Sequence, residues 1–404
     1  MNVVGMLSGT DATFIGPITL ADSQFALLQF AGAKIARADG RGRALEAHNI
    51  TVGMHVIVRE GAELDGALWL NHANIGGNLD LSGCTIRNPG KRALSADLAK
   101  IKGDVFLRNQ QEGETRIAAK LIASVSLTSA DIGGSLFVDQ VIIGEEAANT
   151  YINFNRLKIA GVMRCVDATL TASTVSLANS RIGMLADDIV SWPDGRLILN
   201  GCEYGLLSGD APTRWRDCLG WLRKQKYEHL YVHPRPQPFS QLVSVLRRMG
   251  HERDARAIAI ARRRLETAAV PWYSPRRLGG YLLDLTSGYG YRPWLALIWM
   301  VLFAGFGYGV FTHGKGSFLP IREQPKFVAG KPVVSLGYPK FDPLIYSLDT
   351  LVPFANLGQR DYWAPNRSRD GGRLSWFYRP IHVLLGWFFA TIFVGAVTGL
   401  IRRD

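Results

Sequence analysis

Cysteine is scarce in this chain: Cys84, Cys165, Cys202 and Cys218 are the only four among 404 residues, with no CxxC pair and no metal-ligand spacing. This excludes a disulfide frame and a zinc-ribbon type of site and fits thiols kept reduced. A dinucleotide GxGxxG between strand and helix, a P-loop, an HExxH and a GxSxG are all missing, so four common catalytic designs lose their signature. The eight histidines are scattered. His48, His55 and His72 fall at turns and read as surface residues rather than ligands. No catalytic, cofactor-binding or metal-ligating set emerges, and no cofactor is implied. The opening MNVVGMLSGTDATF lacks the basic lead and long apolar run of a secretory signal.

Charge is missing from two stretches, PWLALIWMVLFAGFGYGVF from Pro293 and IHVLLGWFFATIFVGAVTGLI from Ile381. At about 1.5 Å rise per residue each can cross a hydrocarbon core of about 30 Å, which predicts transmembrane helices at 293–312 and 380–401. Elsewhere charge is unevenly spread. Residues 1–211 hold 18 Lys and Arg against 22 Asp and Glu, residues 212–292 hold 16 against 6, and residues 293–404 hold 12 against 6. The excess positive charge thus gathers just before the first apolar stretch. That is the mark of a cytoplasmic flank facing anionic lipid, and it needs no nucleic-acid partner. With Arg402 and Arg403 after the second stretch, the expectation is a multi-pass inner (cell) membrane protein with both termini cytoplasmic.

Ahead of the basic zone the chain repeats the pattern apolar, x, Gly, x, apolar, x, apolar. Copies start at Leu64, Ile75, Ile101, Ile132 and Ile159, and the leading residues 64, 75 and 86 are 11 apart. Alternation of this kind makes short strands, and glycine at each bend suggests a turn at positive φ. Eleven residues are too few for a helical crossover. Residues 1–211 are therefore expected to be a parallel β-solenoid (β-helix) of right-handed type, with successive units as successive coils. The outward positions Asp80, Arg108, Asp139 and Arg164 read as a solvated face. A sandwich or barrel of regular hairpins is the alternative.

From Pro212 the period becomes helical. Trp215, Cys218, Leu219 and Leu222 share a face, as do Leu242, Val243, Leu246 and Met249, and Ala255, Ile258, Ala259 and Leu265 continue in a third helix. Residues 212–275 form a basic helical hairpin linker in this reading. In 276–292, Leu278, Tyr281, Leu282 and Leu285 make an apolar face beside arginines, which suits an interfacial helix. Thr286 to Gly290 (TSGYG) is one residue from a potassium-filter sequence, but it precedes the first span and reads as a glycine-rich elbow.

Between the spans, residues 341–359 carry a second helix signal. Asp342 is placed to cap and Pro343 to open a helix that Pro353 stops. This Tyr346-Ser347-Leu348-Asp349-Thr350-Leu351 segment resembles the pore helix of two-helix ion channels. The resemblance implies that Ser347, Asp349 and Thr350 belong to a pore helix and that Pro353, Phe354, Ala355, Asn356, Gly358 and Gln359 stand in the filter region. Alanine and leucine replace the family's filter glycines at 355 and 357, so potassium selectivity is not implied. As a whole the chain is also similar to bacterial membrane proteins that join a pentapeptide-repeat-like β-solenoid to a C-terminal two-helix region. Members tend to carry an oxidoreductase label, for which no motif is present. Gly395 and Gly399 form a GxxxG suited to close helix contact in lipid.

Three classes of function follow: an oligomeric ion-channel-like pore with a cytoplasmic solenoid sensor, a membrane-tethered solenoid scaffold for protein ligands, and an enzyme, the least supported. The partners implied are the lipid bilayer, further copies of the chain, ions and a protein ligand on the solenoid.

Overall fold

The computed structural model describes residues 5–401 apart from 113–114, 145–148, 209–210, 325, 329–330 and 334. It divides into two compact units, Met1–Ala269 and Val270–Asp404.

The first unit is a parallel β-solenoid of about seven turns followed by helices. Its strands are mostly two or three residues long and lie in two parallel sheets. On one sheet Phe25, Val52, Ile75, Ile101, Ile132, Ile159 and Ile182 stack in register. Beside them runs the file Leu28, Val56, Leu79, Val105, Leu136 and Met163. The facing sheet supplies Ile35, Leu64, Ile86 and Leu121. All of these are buried, so the apolar repeat positions are the core.

Two expectations about the repeat need correction. Leu64 pairs directly with Ile86, 22 residues on, whereas the intervening Ile75 lies in the other sheet. The 11-residue unit is therefore half a coil. Nor do most of the repeat glycines serve positive φ; of those in the five copies, only Gly66 has it. A Cβ at Gly103 would sit 2.8 Å from Gly77 O, at Gly134 2.8 Å from Gly103 O, and at Gly161 2.8 Å from Gly134 O. Glycine is needed here because consecutive coils bring their backbones together. The left-handed conformation appears instead at corners between strands, at Asp22, Asn49, His72, Leu98, Ser129, Arg156 and Asn179 in one series and at Asp11, Gly32, Glu60, Gly61, Gly83, Gln140 and Asp167 in another.

Three helices close the unit: α1 (Trp215–Arg223), α2 (Gln237–Arg248) and α3 (Glu252–Ala268), with a π-helical turn at Glu228–Val232. These three helices fall within the 212–275 stretch read as a linker, and up to Ala269 that stretch belongs to the solenoid's own unit. Leu242, Val245, Leu246, Ile258 and Ala259 are buried. The side chain of α2 residue Gln237 accepts from Gly201 N and donates to Cys202 O, while Gln241 and Arg248 donate to Tyr204 O and Gly205 O of the last coil.

In the second unit, α4 (Pro275–Ser287) is capped by Ser274 and ends at Gly288, which with Tyr289 and Gly290 turns the chain at positive φ into α5 (Trp294–His313). Helix α6 spans Pro343–Leu351 and α7 spans Gly372–Val397. Both α5 and α7 are long and apolar enough to cross a membrane. Helix α7 begins eight residues before Pro380, which lies inside it. An interior proline is tolerated in apolar helices when neighbours satisfy the freed carbonyl. The strand Phe318–Pro320 pairs antiparallel with Trp363–Pro365, so the chain after α5 and the chain before α7 meet at one end of these helices.

Candidate site at the junction of three helices

Helix α6 starts where its sequence places it. The Asp342 carboxylate accepts from Leu344 N at 2.8 Å and from Ile345 N at 3.0 Å, and Pro343 occupies the first turn. Tyr346 enters an aromatic cluster with Phe311, Phe318, Phe341 and Trp363 at the end of α5. Further down, Ser347 Oγ donates to Ala304 O at 2.8 Å and lies 3.2 Å from His382 Nε2. Leu351 reaches Gly386, about midway along α7, where a Cβ would lie 1.7 Å from the Leu351 carbonyl oxygen. Beyond that point Phe354 meets Trp387 edge to face at 5.8 Å, and the chain returns to the end from which it came.

The return is tied by Asp349, whose side chain is fully buried. Its Oδ1 accepts from Leu357 N and its Oδ2 from Arg360 N, both at 2.7 Å, with the Arg360 guanidinium 4.0 Å away. Such paired amide donors hold a carboxylate in place without exposing it. Asn356 accepts from Gly358 N and donates to Asp361 across the turn, and Gly358 takes φ +80°. Gln359 is buried and bridges the entry to the exit: its Oε1 accepts from Asp342 N and its Nε2 donates to Lys340 O. Thr350 Oγ1 donates back to Tyr346 O.

The residues singled out from sequence therefore divide. Ser347, Asp349, Thr350 and Gln359 are buried and hold the helix and its returning loop together. Pro353 and Ala355 are half-buried, while Phe354 and Asn356 face outward, with Phe354 77% exposed. Gly395 lies in α7, but Gly399 falls beyond the end of α7 at φ +80°, so the two do not form one helical face. Among the described residues no group of His, Cys, Asp or Glu is placed to hold a metal.

Sequence reasoning missed His382, the centre of the polar contacts. With Ser347 O–H directed at Ala304 O, the consistent arrangement has Nε2–H donate to Ser347 O at 3.1 Å and Tyr378 O–H donate to Nδ1 at 3.0 Å. Gly307 makes room for this network, since a Cβ there would lie 2.5 Å from Ser347 Oγ and 2.6 Å from the His382 ring. A single histidine inside an otherwise apolar run, seven residues after Ser375 and four before Gly386, was the available signal. No family model matches the chain, and comparison with curated proteins and with solved structures finds no significant match.

Proposed function

We propose that the chain is an integral membrane protein in which α5 and α7 cross the bilayer, α6 is a re-entrant helix between them, and several copies assemble into a channel-like pore. The solenoid serves as its water-facing sensor or binding domain. The observation that carries this reading is the half-way course of α6. Its tip at 352–358 lies near the middle of α7 and leaves Phe354, Asn356 and Leu357 uncovered within the chain. Irregular backbone at that depth is tolerated only against protein or a water-filled cavity, and further copies supply both.

Membrane insertion is supported by what the helices do not bury. Only 28% of the most apolar stretch of α5 and 33% of that of α7 is buried, although soluble core helices of this composition hide themselves. Ser347, Asp349, Ser375 and His382 turn inward instead, as polar groups in bundles within lipid do. Helix α4 leaves Leu278, Tyr281, Leu282 and Leu285 exposed, which suits a place along the interface. The basic residues before α5 favour cytoplasmic termini. Arg402 and Arg403 lie outside the described residues.

A second reading, a membrane-tethered solenoid without conduction, is favoured by Asp349, whose oxygens are both taken by backbone amides and so leave Asn356 as the outward polar group of the loop. Reconstitution in planar bilayers separates the two. Cation conductance that falls or inverts with Asn356→Lys, together with crosslinking between copies through Leu357→Cys, is the expected result. Silent bilayers and a monomeric purified species refute the pore and leave the tethered module.

A further inference from the structure

Helix α4 opens against its own electrostatics. Its first turn holds no acidic residue but carries Arg276 and Arg277, although the positive end of a helix favours anions and disfavours cations. A third arginine, Arg292, follows the turn at Gly288 to Gly290, just ahead of α5. None of the three makes an ion pair among the described residues, and the one carboxylate between Val270 and His313, that of Asp284, is bonded to none of them.

Arg277 is braced without being neutralised. Its Nε and Nη2 each donate to Tyr281 Oη at 3.1 Å, its Nη1 donates to Val270 O at 3.1 Å, and the guanidinium lies 5.6 Å from the Tyr281 ring centroid. Three of its five N–H groups are used, and every partner is neutral. Arg292 is exposed and runs its stem over Gly288, where a Cβ would lie 3.3 Å from its Cγ and Cδ. A planar guanidinium with N–H groups to spare matches paired phosphate oxygens.

Beside these cations the apolar face of α4 is uncovered. Leu278, Tyr281, Leu282 and Leu285 are exposed, and in the segment before the helix Trp272, 83% exposed, packs edge to face with Tyr273 at 6.0 Å. Trp294 is exposed at the start of α5. Aromatic rings with a polar tip, leucines on one face and arginines with long stems are the composition of a segment lying at headgroup depth. Lipid is also the nearest neighbour at hand, because the chain passes from α4 through residues 288–293 directly into α5.

We infer that α4 and its flanks are a binding surface for phospholipids with net negative headgroups, in which the leucines and Tyr281 enter the acyl boundary and Arg277 and Arg292 each hold a headgroup phosphate. A zwitterionic headgroup brings an ammonium that already balances its phosphate. Arginines without carboxylate partners favour a headgroup that brings none. This inference rests on the proposal that α5 and α7 cross the bilayer.

The test is reconstitution of the full-length protein into nanodiscs holding equal amounts of phosphatidylcholine and phosphatidylglycerol, followed by native mass spectrometry of the lipids that stay bound after release in detergent. Phosphatidylglycerol should be retained over phosphatidylcholine by about five-fold or more, in line with the pull of a few basic residues on anionic lipid. The double variant Arg277→Gln, Arg292→Gln should lose that preference, whereas Arg181→Gln, which removes a solenoid arginine paired with Glu203, should keep it. An environment-sensitive fluorophore on Leu282→Cys should emit in the nanodisc as it does in an apolar medium. Protein that enters nanodiscs yet retains both lipids equally, a double variant that keeps the preference, or water-like emission from position 282 overturns this assignment and leaves the membrane reading standing. Failure to enter nanodiscs at all overturns both.

Discussion

Replacing Gly386 by alanine tests the seat of α6 directly. The new methyl carbon would lie 1.7 Å from Leu351 O, 2.7 Å from its carbonyl carbon and 3.1 Å from its Cα. A carbon and a carbonyl oxygen need about 3.3 Å, so backbone must move by roughly 1.5 Å. Because the obstacle is main chain, no rotamer change relieves it. Overpacking of this kind costs about 1–3 kcal/mol. A shift of α6 also loosens the Ser347 contacts with Ala304 and His382, each worth about 1 kcal/mol. The combined loss is about 3–5 kcal/mol, or a fall in melting temperature of roughly 10 °C or more for a unit of this size. Gly305→Ala and Gly309→Ala are the controls, since a Cβ at either meets nothing within 4 Å. They should be neutral or gain up to about 1 kcal/mol from helix propensity. Full-length protein in detergent, heated and then passed over a size-exclusion column, gives the melting temperatures. If Gly386→Ala melts with the two controls, the close approach of α6 to α7 is wrong.

Two further outcomes concern the solenoid. Leu136→Ala, fully buried between Val105 and Met163, should cost about 3 kcal/mol, whereas Asp80→Ala, which loses outward bonds to Ser82 and Arg59, should cost under about 1 kcal/mol; equal denaturant midpoints would remove the distinction between inward and outward positions. Asp187 is pushed up to about 7, chiefly by burial, against the pull of the Trp192 indole N–H and with a further rise from Asp188. Between the ordinary carboxyl range and pH 7 the folded state therefore holds a proton that the unfolded chain has released, so stability falls as pH rises through that window, by up to about 4 kcal/mol. Asp187→Asn keeps an acceptor for Trp192 and should flatten the slope; identical pH profiles of chemical denaturation in the two proteins would contradict this.

How much was legible in the sequence depended on whether a signal is local. Inward apolar residues such as Ile75 and Leu79 announce themselves by alternation, and the uncharged runs announce α5 and α7. The scale of the coil did not, because an 11-residue spacing is equally compatible with a whole turn and with half of one until the partner strand is known. The expected start at 380 followed the uncharged run, which begins only after Arg379, whereas α7 starts at Gly372 and takes in Arg373, Arg379 and Pro380. At the junction, Asp342 was readable as a cap from its place before Pro343. The part played by Asp349 was not, since its partners Leu357 N and Arg360 N become donors to it only once the loop folds back. That Asp80, Arg108, Asp139 and Arg164 point outward was legible from alternation, but their meeting on neighbouring coils was not, because it depends on the winding of the chain.

The side chains that α2 lays on the last coil have a consequence for assembly. Parallel strands that end in open carbonyls are a template on which another strand, from any chain, can add. Gln237, Gln241 and Arg248 already occupy Cys202 O, Tyr204 O and Gly205 O. The C-terminal rim of the solenoid is thereby closed to strand addition. A solenoid cut before Gln237 would present a sticky end and could grow into fibres, so the helices that follow the coils act as a stopper on polymerisation as well as part of the fold.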